Sequence, residues 1–153
     1  MSIGKICSRT IHLAELNESA QVAANRMKNE NVGTLLILDA VKRPIGILTD
    51  RDIAVRVVAQ GLDAEETTVE QVMTAHPRWV GSKAPIEDAI AIMRSLAVRR
   101  LPVVDKQERL VGIVTVDDVL ELVTNELEDL GKLVGMSHPG ITVPATRPLP
   151  NQV

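Results

Sequence analysis

The chain has 153 residues and a formal net charge of −3, which suits one ordinary domain or two very small ones. Hydrophobic residues make up 45% of it but aromatic residues only 1%, so a core can form, while a base-stacking surface for single-stranded nucleic acid has almost nothing to stack with. A single cysteine excludes an internal disulfide framework, and three scattered histidines argue against a zinc enzyme.

No targeting or membrane segment is predicted. No apolar run approaches the ~18 residues that a membrane helix needs, and the N-terminal residues lack the apolar core of a signal peptide. The mild acidity also argues against a generic nucleic-acid binder, which normally carries a basic excess. We therefore expect a cytoplasmic protein that needs no membrane.

The first periodic segment predicts a helix that follows a short extended piece. The extended piece lies around residues 11–13. Apolar residues then recur at i, i+3, i+4 and i+7, the spacing of one helix face. They are Ala20, Ala23, Ala24 and Met27.

Two short apolar runs follow, at residues 35–38 and 45–48, with polar residues between them. Continuous runs of this length are typical of strands that are buried on both faces. A second helix is expected to start at Thr49, because a Thr at the N-cap with Asp52 three residues later resembles a capping box.

The same pattern returns 66 residues later without a gap. An extended piece around residues 79–80 precedes a helix face formed by Ile86, Ala89, Ile90 and Met93. Apolar runs at 101–104 and 110–114 repeat the strands, and Thr115 with Asp118 repeats the cap. One register through helix, strand and turn indicates a tandem duplication of a β-α-β-β-α unit.

The predicted fold class is α/β (α+β), with two β-α-β-β-α repeats packed sheet to sheet as a pseudo-twofold pair. One repeat alone is too small to cover both faces of its sheet. The predicted domain boundaries are 5–62 and 68–130, with the last helix extended to about residue 135. Residues 136–153 form a Pro-rich tail, interpreted as disordered or bound to a partner.

Two motifs carry a family resemblance. Residues 46–52 and 112–118 each read Gly, two apolar residues, Thr, two variable residues and Asp, and residues 98–105 match the strand that precedes the second motif. Together they resemble the CBS domain, named after cystathionine β-synthase, present as a tandem pair over about residues 5 to 130. The resemblance implies a Bateman module, a non-enzymatic regulatory sensor of AMP, ADP, ATP or S-adenosylmethionine that acts on an unknown partner. It implies neither a catalytic residue nor a metal.

The motif suits a nucleotide on physical grounds. Thr49 lies at a helix start, where free N–H groups and the helix dipole attract a phosphate. Asp52, one turn later, would repel phosphate but can accept from the two hydroxyls of a ribose. Plain helix capping remains the alternative for both motifs, and the two roles can coexist.

The resemblance implies that each site is built across the pair, with Thr and Asp from one repeat and base and phosphate contacts from the other. Site one is implied to contain Thr49, Arg51, Asp52, Pro77, Arg78, Val98, Arg99 and Arg100. Site two is implied to contain Ile11, His12, Val32, Gly33, Thr34, Thr115 and Asp118. Strand alternation predicts that Arg99 and Arg100 point to opposite faces, so both need not reach one ligand.

The two sites are expected to be unequal. Four arginines gather at site one, whereas site two has Asp117, His12, Gly33 and Thr34 at the equivalent places. We therefore expect a charged nucleotide in site one and weak, absent or uncharged-ligand binding in site two. The alternative function is a protein- or nucleic-acid-interaction module whose clefts are vacant; an enzyme is disfavoured because no Ser-His-Asp, Cys-His or metal constellation assembles from the sequence.

The last helix predicts self-association. An apolar stripe continues along it through Val119, Leu120, Val123, Leu127, Leu130 and Val134. An exposed stripe of this length is a liability on a monomer, and the resemblance implies pairs that join through their helices. We therefore expect a homodimer.

Overall fold

The structure, a computed structural model, describes residues 1–137. Residues 1–119 form one compact unit, and the chain from Leu120 onward belongs to a second. The tail predicted for residues 136–153 lies outside the described residues, except that the last helix ends at Ser137.

The described chain contains two similar successions of helices and strands. The first is a 3-10 turn (Ile3–Lys5), α1 (Ala20–Glu30), β1 (Thr34–Leu38), β2 (Pro44–Thr49) and α2 (Asp50–Ile53), which continues as a π-helical turn (Ala54–Val58). The second is α3 (Val69–Val72), β3 (Thr74–Ala75), β4 (Val80–Gly81), α4 (Ile86–Leu96), β5 (Arg100–Val104), β6 (Leu110–Thr115) and α5 (Val116–Ser137). The predicted α/β fold class is confirmed, and each main strand is slightly longer than its apolar run.

The first of the two three-stranded sheets includes a strand from the other repeat, and the second is contacted by the other repeat through an isolated bridge. The sheet orders are β1-β2-β3 and β4-β5-β6. Strand β3 precedes the second repeat's helix, yet it pairs antiparallel with β2 of the first repeat. In the same way Ser8, near the N-terminus, bridges Ile113 of β6. The two repeats are therefore interlocked at their second strands, which the sequence pattern did not predict.

The core consists of one apolar cluster per repeat. Ala20, Ala23 and Met27 of the predicted α1 face are buried against the first sheet, and Ala89 and Met93 of α4 are buried against the second. Ile90 differs from its prediction, since it is 45% exposed. Like the partly buried Ala24 in α1, it lies at the edge of its stripe.

Burial between the sheets occurs at equivalent positions of the two repeats. Leu36 and Pro102 are fully buried but belong to neither helix-facing cluster. Because side chains alternate along a strand, these two point to the face opposite to the helices. The pseudo-twofold packing of sheet on sheet accounts for their burial.

The prediction that all four strands are buried on both faces is wrong for the second strand of each repeat. β1 and β5 have continuous runs of buried residues, whereas β2 and β6 bury alternate ones. Ile47 and Ile113 are half-buried on the sheet faces opposite to the helices, and each lines a cavity. These two apolar side chains therefore form part of a cleft wall and are not enclosed in the core.

We expect Gly112→Ala to destabilise the fold. A Cβ at residue 112 would lie 2.7 Å from Cys7 Sγ and 2.8 Å from the carbonyl oxygen of Ser8. That carbonyl is held by a 3.0 Å hydrogen bond from the Ile113 N–H, so it cannot easily move away. Overpacking of this kind costs about 1–3 kcal/mol of unfolding free energy, measurable by urea denaturation.

Gly81→Ala is the matched control. A Cβ at residue 81 would meet no described heavy atom within 4 Å, so we expect a change within about 0.5 kcal/mol. Equal stability of the two variants would show that the close approach of the N-terminal segment to β6 is not a packing constraint.

Candidate functional site

The first candidate site is a cavity of about 530 Å³ at the start of α2. All eight residues predicted for site one line it: Thr49, Arg51, Asp52, Pro77, Arg78, Val98, Arg99 and Arg100. The two repeats both contribute, because the motif residues precede or start α2 and the others flank α4 and β3. The structure thus brings together residues from three separate stretches of the chain.

The Thr49 and Asp52 side chains cap α2. Thr49 Oγ1 accepts from the Asp52 N–H at 3.1 Å, while Asp52 Oδ2 accepts from the Thr49 N–H at 2.9 Å and from the Thr49 hydroxyl at 2.8 Å. The capping interpretation is therefore correct. Both bonds that the Asp52 carboxylate accepts from Thr49 end on Oδ2, so the cap leaves Oδ1 without a bond to Thr49.

The four arginines that line the cavity differ in what holds them. Among the described residues, the guanidinium groups of Arg51 and Arg78 form no hydrogen bond or ion pair. Arg99 Nη2 lies 3.5 Å from Asp117, but these side chains are 72% and 81% exposed, so the pair is weak. Arg100 donates instead to the Thr34 hydroxyl.

Arg99 and Arg100 have different partners, and both line the first cleft. Arg51 and Arg78 consequently supply the positive charge that no other described side chain neutralises. Arg99 is bound only through an exposed pair that competes with solvent.

Eight further residues line the same cavity and were not predicted. They are Ile47, Asp50, Thr74, His76, Leu96, Ala97, Leu101 and Pro102. Most of them supply an apolar wall. Ile47 could have been predicted as a cleft residue, because it alternates with the buried residues of β2. Thr74 could not, because its pairing with β2 has no signal in the local sequence.

The second candidate site is smaller, at about 200 Å³. Six of its seven predicted residues line it: Ile11, His12, Val32, Gly33, Thr34 and Thr115. Asp118 is not a lining residue; its carboxylate accepts from the N–H and hydroxyl of Thr115 at 2.7 Å each. Small-molecule sites are typically about 300–1,000 Å³, so the first cleft has the volume for a nucleotide and the second falls short.

One arginine lines both clefts. Arg100 and Thr34 occupy equivalent positions of the two repeats, 66 residues apart, and their side chains are hydrogen-bonded. The bond therefore crosses the pseudo-twofold axis and joins Arg100, a predicted site-one residue, to Thr34, a predicted site-two residue. Both residues line the smaller cleft.

Residues 1–137 contain no cluster of three or more His, Cys, Asp or Glu side chains that could hold a metal ion. None of the helices in this part of the chain is both long and apolar enough to cross a membrane.

A third cavity, of about 600 Å³, borders the π-helical turn and contains no predicted site residue.

Comparison with known proteins gives matches over most of the chain. The family model described as CBS domain matches residues 3–59 and 69–125. The CBS domain-containing protein YhcV of Bacillus subtilis is 40% identical over 128 residues, 82% of this chain and 87% of that protein. An uncharacterized protein of Methanopyrus kandleri, MK0525, is 31% identical over 122 residues; these are 80% of this chain but only 62% of that protein.

A solved structure is also similar. The CBS domain pair of protein MJ0100, in complex with 5′-methylthioadenosine and S-adenosyl-L-methionine, has a TM-score of 0.73 and 29% sequence identity. The likeness covers 82% of this chain and 98% of that one. Both ligands of MJ0100 contain an adenosine group.

Proposed function

Because this chain belongs to the CBS-domain family and carries a tandem pair of such domains, we propose that it is a regulatory module that binds an adenine nucleotide in the first cleft. One observation carries the proposal: a single cavity of about 530 Å³ collects the Thr-Asp motif and four arginines. The ligand-bound MJ0100 pair supports an adenosine-containing ligand.

Each part of a nucleotide has a complementary group in this cleft. The phosphates would meet Arg51 and Arg78, whose charges are free, and the N-terminus of α2. The ribose hydroxyls would donate to Asp52, whose side chain is 16% exposed. The base would lie on the apolar wall that includes Ile47, Leu96 and Val98.

The charge of the first cleft favours AMP, ADP or ATP over S-adenosylmethionine. Arginine forks bind phosphate oxygens through charge-assisted hydrogen bonds. S-adenosylmethionine offers a sulfonium cation and a single carboxylate instead, so two free arginines suit it less well. It remains the second ligand class to test.

The module is proposed as a binding protein rather than an enzyme, acting in the cytoplasm on a partner protein that the ligand regulates. Neither a membrane nor a nucleic acid is required by the proposed action. The boundaries 5–62 and 68–130 stand as the proposed extents of the two repeats.

The second cleft is proposed to be vacant or weakly occupied. Its volume of about 200 Å³ is too small for a nucleotide without rearrangement. Arg100 and Thr34, which both line this cleft, are hydrogen-bonded to each other. This supports one nucleotide per chain.

We propose that a second copy of this chain covers the apolar stripe of α5. Of the six residues predicted for this stripe, Val119 is buried in the core cluster of the second repeat. The other five, Leu120, Val123, Leu127, Leu130 and Val134, are spaced alternately by three and four positions. This is the heptad spacing of paired helices. These five are between 48% and 66% exposed, and the acidic residues Glu121, Glu128 and Asp129 lie off the stripe.

A thermal-shift panel tests nucleotide binding. We expect AMP, ADP or ATP to raise the melting temperature, because a ligand at 100 times its Kd stabilises the native state by about 2.7 kcal/mol. Adenosine, which lacks the phosphate, should give a much smaller shift at the same concentration. A shift for S-adenosylmethionine alone would reassign the ligand, and no shift with any of them would favour an interaction module with vacant clefts.

A further inference from the structure

The Asp52 carboxylate has two oxygens with separate partners. Oδ2 accepts the capping hydrogen bonds from Thr49. Oδ1 lies 3.4 Å from Nη2 of Arg56, one turn further along the helix. Arg56 was not among the predicted site residues and does not line the first cleft.

The same guanidinium is anchored on its other side. Arg56 Nη1 donates to the carbonyl oxygen of Val72 at 2.8 Å, and Nη2 donates to the Thr74 hydroxyl at 3.1 Å. Val72 ends α3, and Thr74 lies in β3 and lines the first cleft. One side chain therefore joins the Asp52 carboxylate to the chain segment that begins the second repeat.

The local backbone at this arginine is also unusual. Arg56 lies within the π-helical turn Ala54–Val58, a feature that occurs frequently at functional sites. The second repeat has neither the arginine nor the π-helical turn at the equivalent place. The position equivalent to Arg56 is Leu122, within the continuous α-helix α5, and leucine cannot pair with Asp118.

We propose that Arg56 is a positioning residue that holds Asp52 in the orientation that accepts the ribose hydroxyls. The inference rests on the proposed function and assigns the ribose specificity of the same cleft. A carboxylate fixed before the ligand arrives loses no conformational freedom on binding. Arg56 acts through Asp52 and does not touch the ligand, so removing it affects only ligands that carry the ribose diol.

The test is calorimetric titration of two ligands, AMP and its 2′,3′-dideoxy analogue, into the full-length chain. We expect Arg56→Leu, which installs the residue of the second repeat, to weaken AMP binding about three- to tenfold. Binding of the dideoxy analogue should stay within about twofold, because it has no diol to donate. Arg56→Lys should retain part of the AMP affinity, since it keeps a cation near Oδ1.

Two controls separate positioning from a general structural effect. Arg109→Leu removes another i,i+4 arginine–aspartate pair, with Asp105, outside both clefts, and should leave AMP binding unchanged. In an Asp52→Ala background, Arg56→Leu should cause no further loss, because its partner is already gone. If Arg56→Leu does not melt cooperatively, Arg56→Gln takes its place.

The possible results distinguish failure of the Arg56 role from failure of nucleotide binding. An equal loss for both ligands, or no loss for AMP, overturns the positioning role while leaving nucleotide binding intact. A wild-type chain that does not bind AMP overturns the proposed function, and the role of Arg56 with it. The wild-type titration thus distinguishes the two failures.

Discussion

Replacement of Asp52 by alanine is expected to weaken AMP binding by roughly 30-fold or more, whereas Asp118→Ala leaves it nearly unchanged. Each hydrogen bond to a charged group contributes about 1.5–3 kcal/mol, and a ribose diol can donate two of them. A difference of 1.4 kcal/mol is already tenfold in Kd. Calorimetry on both variants measures the effect.

Asp118→Ala is a closely matched control, because the two aspartates cap their helices in the same way. Oδ2 of Asp52 accepts from the N–H and hydroxyl of Thr49 at 2.9 and 2.8 Å. Oδ2 of Asp118 accepts from the N–H and hydroxyl of Thr115 at 2.7 Å each. Loss of a cap costs about 0.5–2 kcal/mol of stability in either variant. A loss of AMP affinity from Asp118→Ala as large as that from Asp52→Ala would show that the two clefts are not functionally distinct.

Leu127→Glu is expected to convert the proposed dimer into a monomer. Leu127 lies in the middle of the α5 stripe and is 63% exposed in the single chain. Each leucine buried in an interface contributes about 1.5–3 kcal/mol, and a homodimer loses two of them at once. The dimer dissociation constant should therefore rise at least ~100-fold, as measured by light scattering over a dilution series.

Asn125→Glu adds the same charge to the same helix, at an exposed position off the stripe, and should leave the dimer intact. Dimers that persist at the same dilution in Leu127→Glu would exclude the stripe as the interface. A wild-type chain that is monomeric at micromolar concentration would remove the dimer altogether.

Repetition made much of this fold predictable from sequence. The offset of 66 residues aligned the helix faces, the apolar runs and the Thr-x-x-Asp caps, and the strands and capping bonds occur where that alignment placed them. The gathering of Arg78 and Arg99 beside Thr49 followed from the family resemblance rather than from local pattern. No periodicity links these three positions.

What could not be predicted depends on contacts between distant segments. The pairing of β3 with β2 joins a two-residue strand to a partner more than twenty residues earlier, and so short a strand has no periodicity to detect. The Arg56 contacts with Val72 and Thr74 depend on that pairing. The bond of Arg100 to Thr34 depends on how the two sheets pack, so the unequal cleft volumes emerged only from the three-dimensional arrangement.

The central claim is that one cleft of this pair is a nucleotide site and the other is not. Calorimetric titration of the purified full-length chain with AMP tests it most directly. We expect one tight equivalent of AMP per chain, with any second binding event at least tenfold weaker. Two equivalents of equal affinity, or no heat of binding at any concentration up to millimolar, would contradict it.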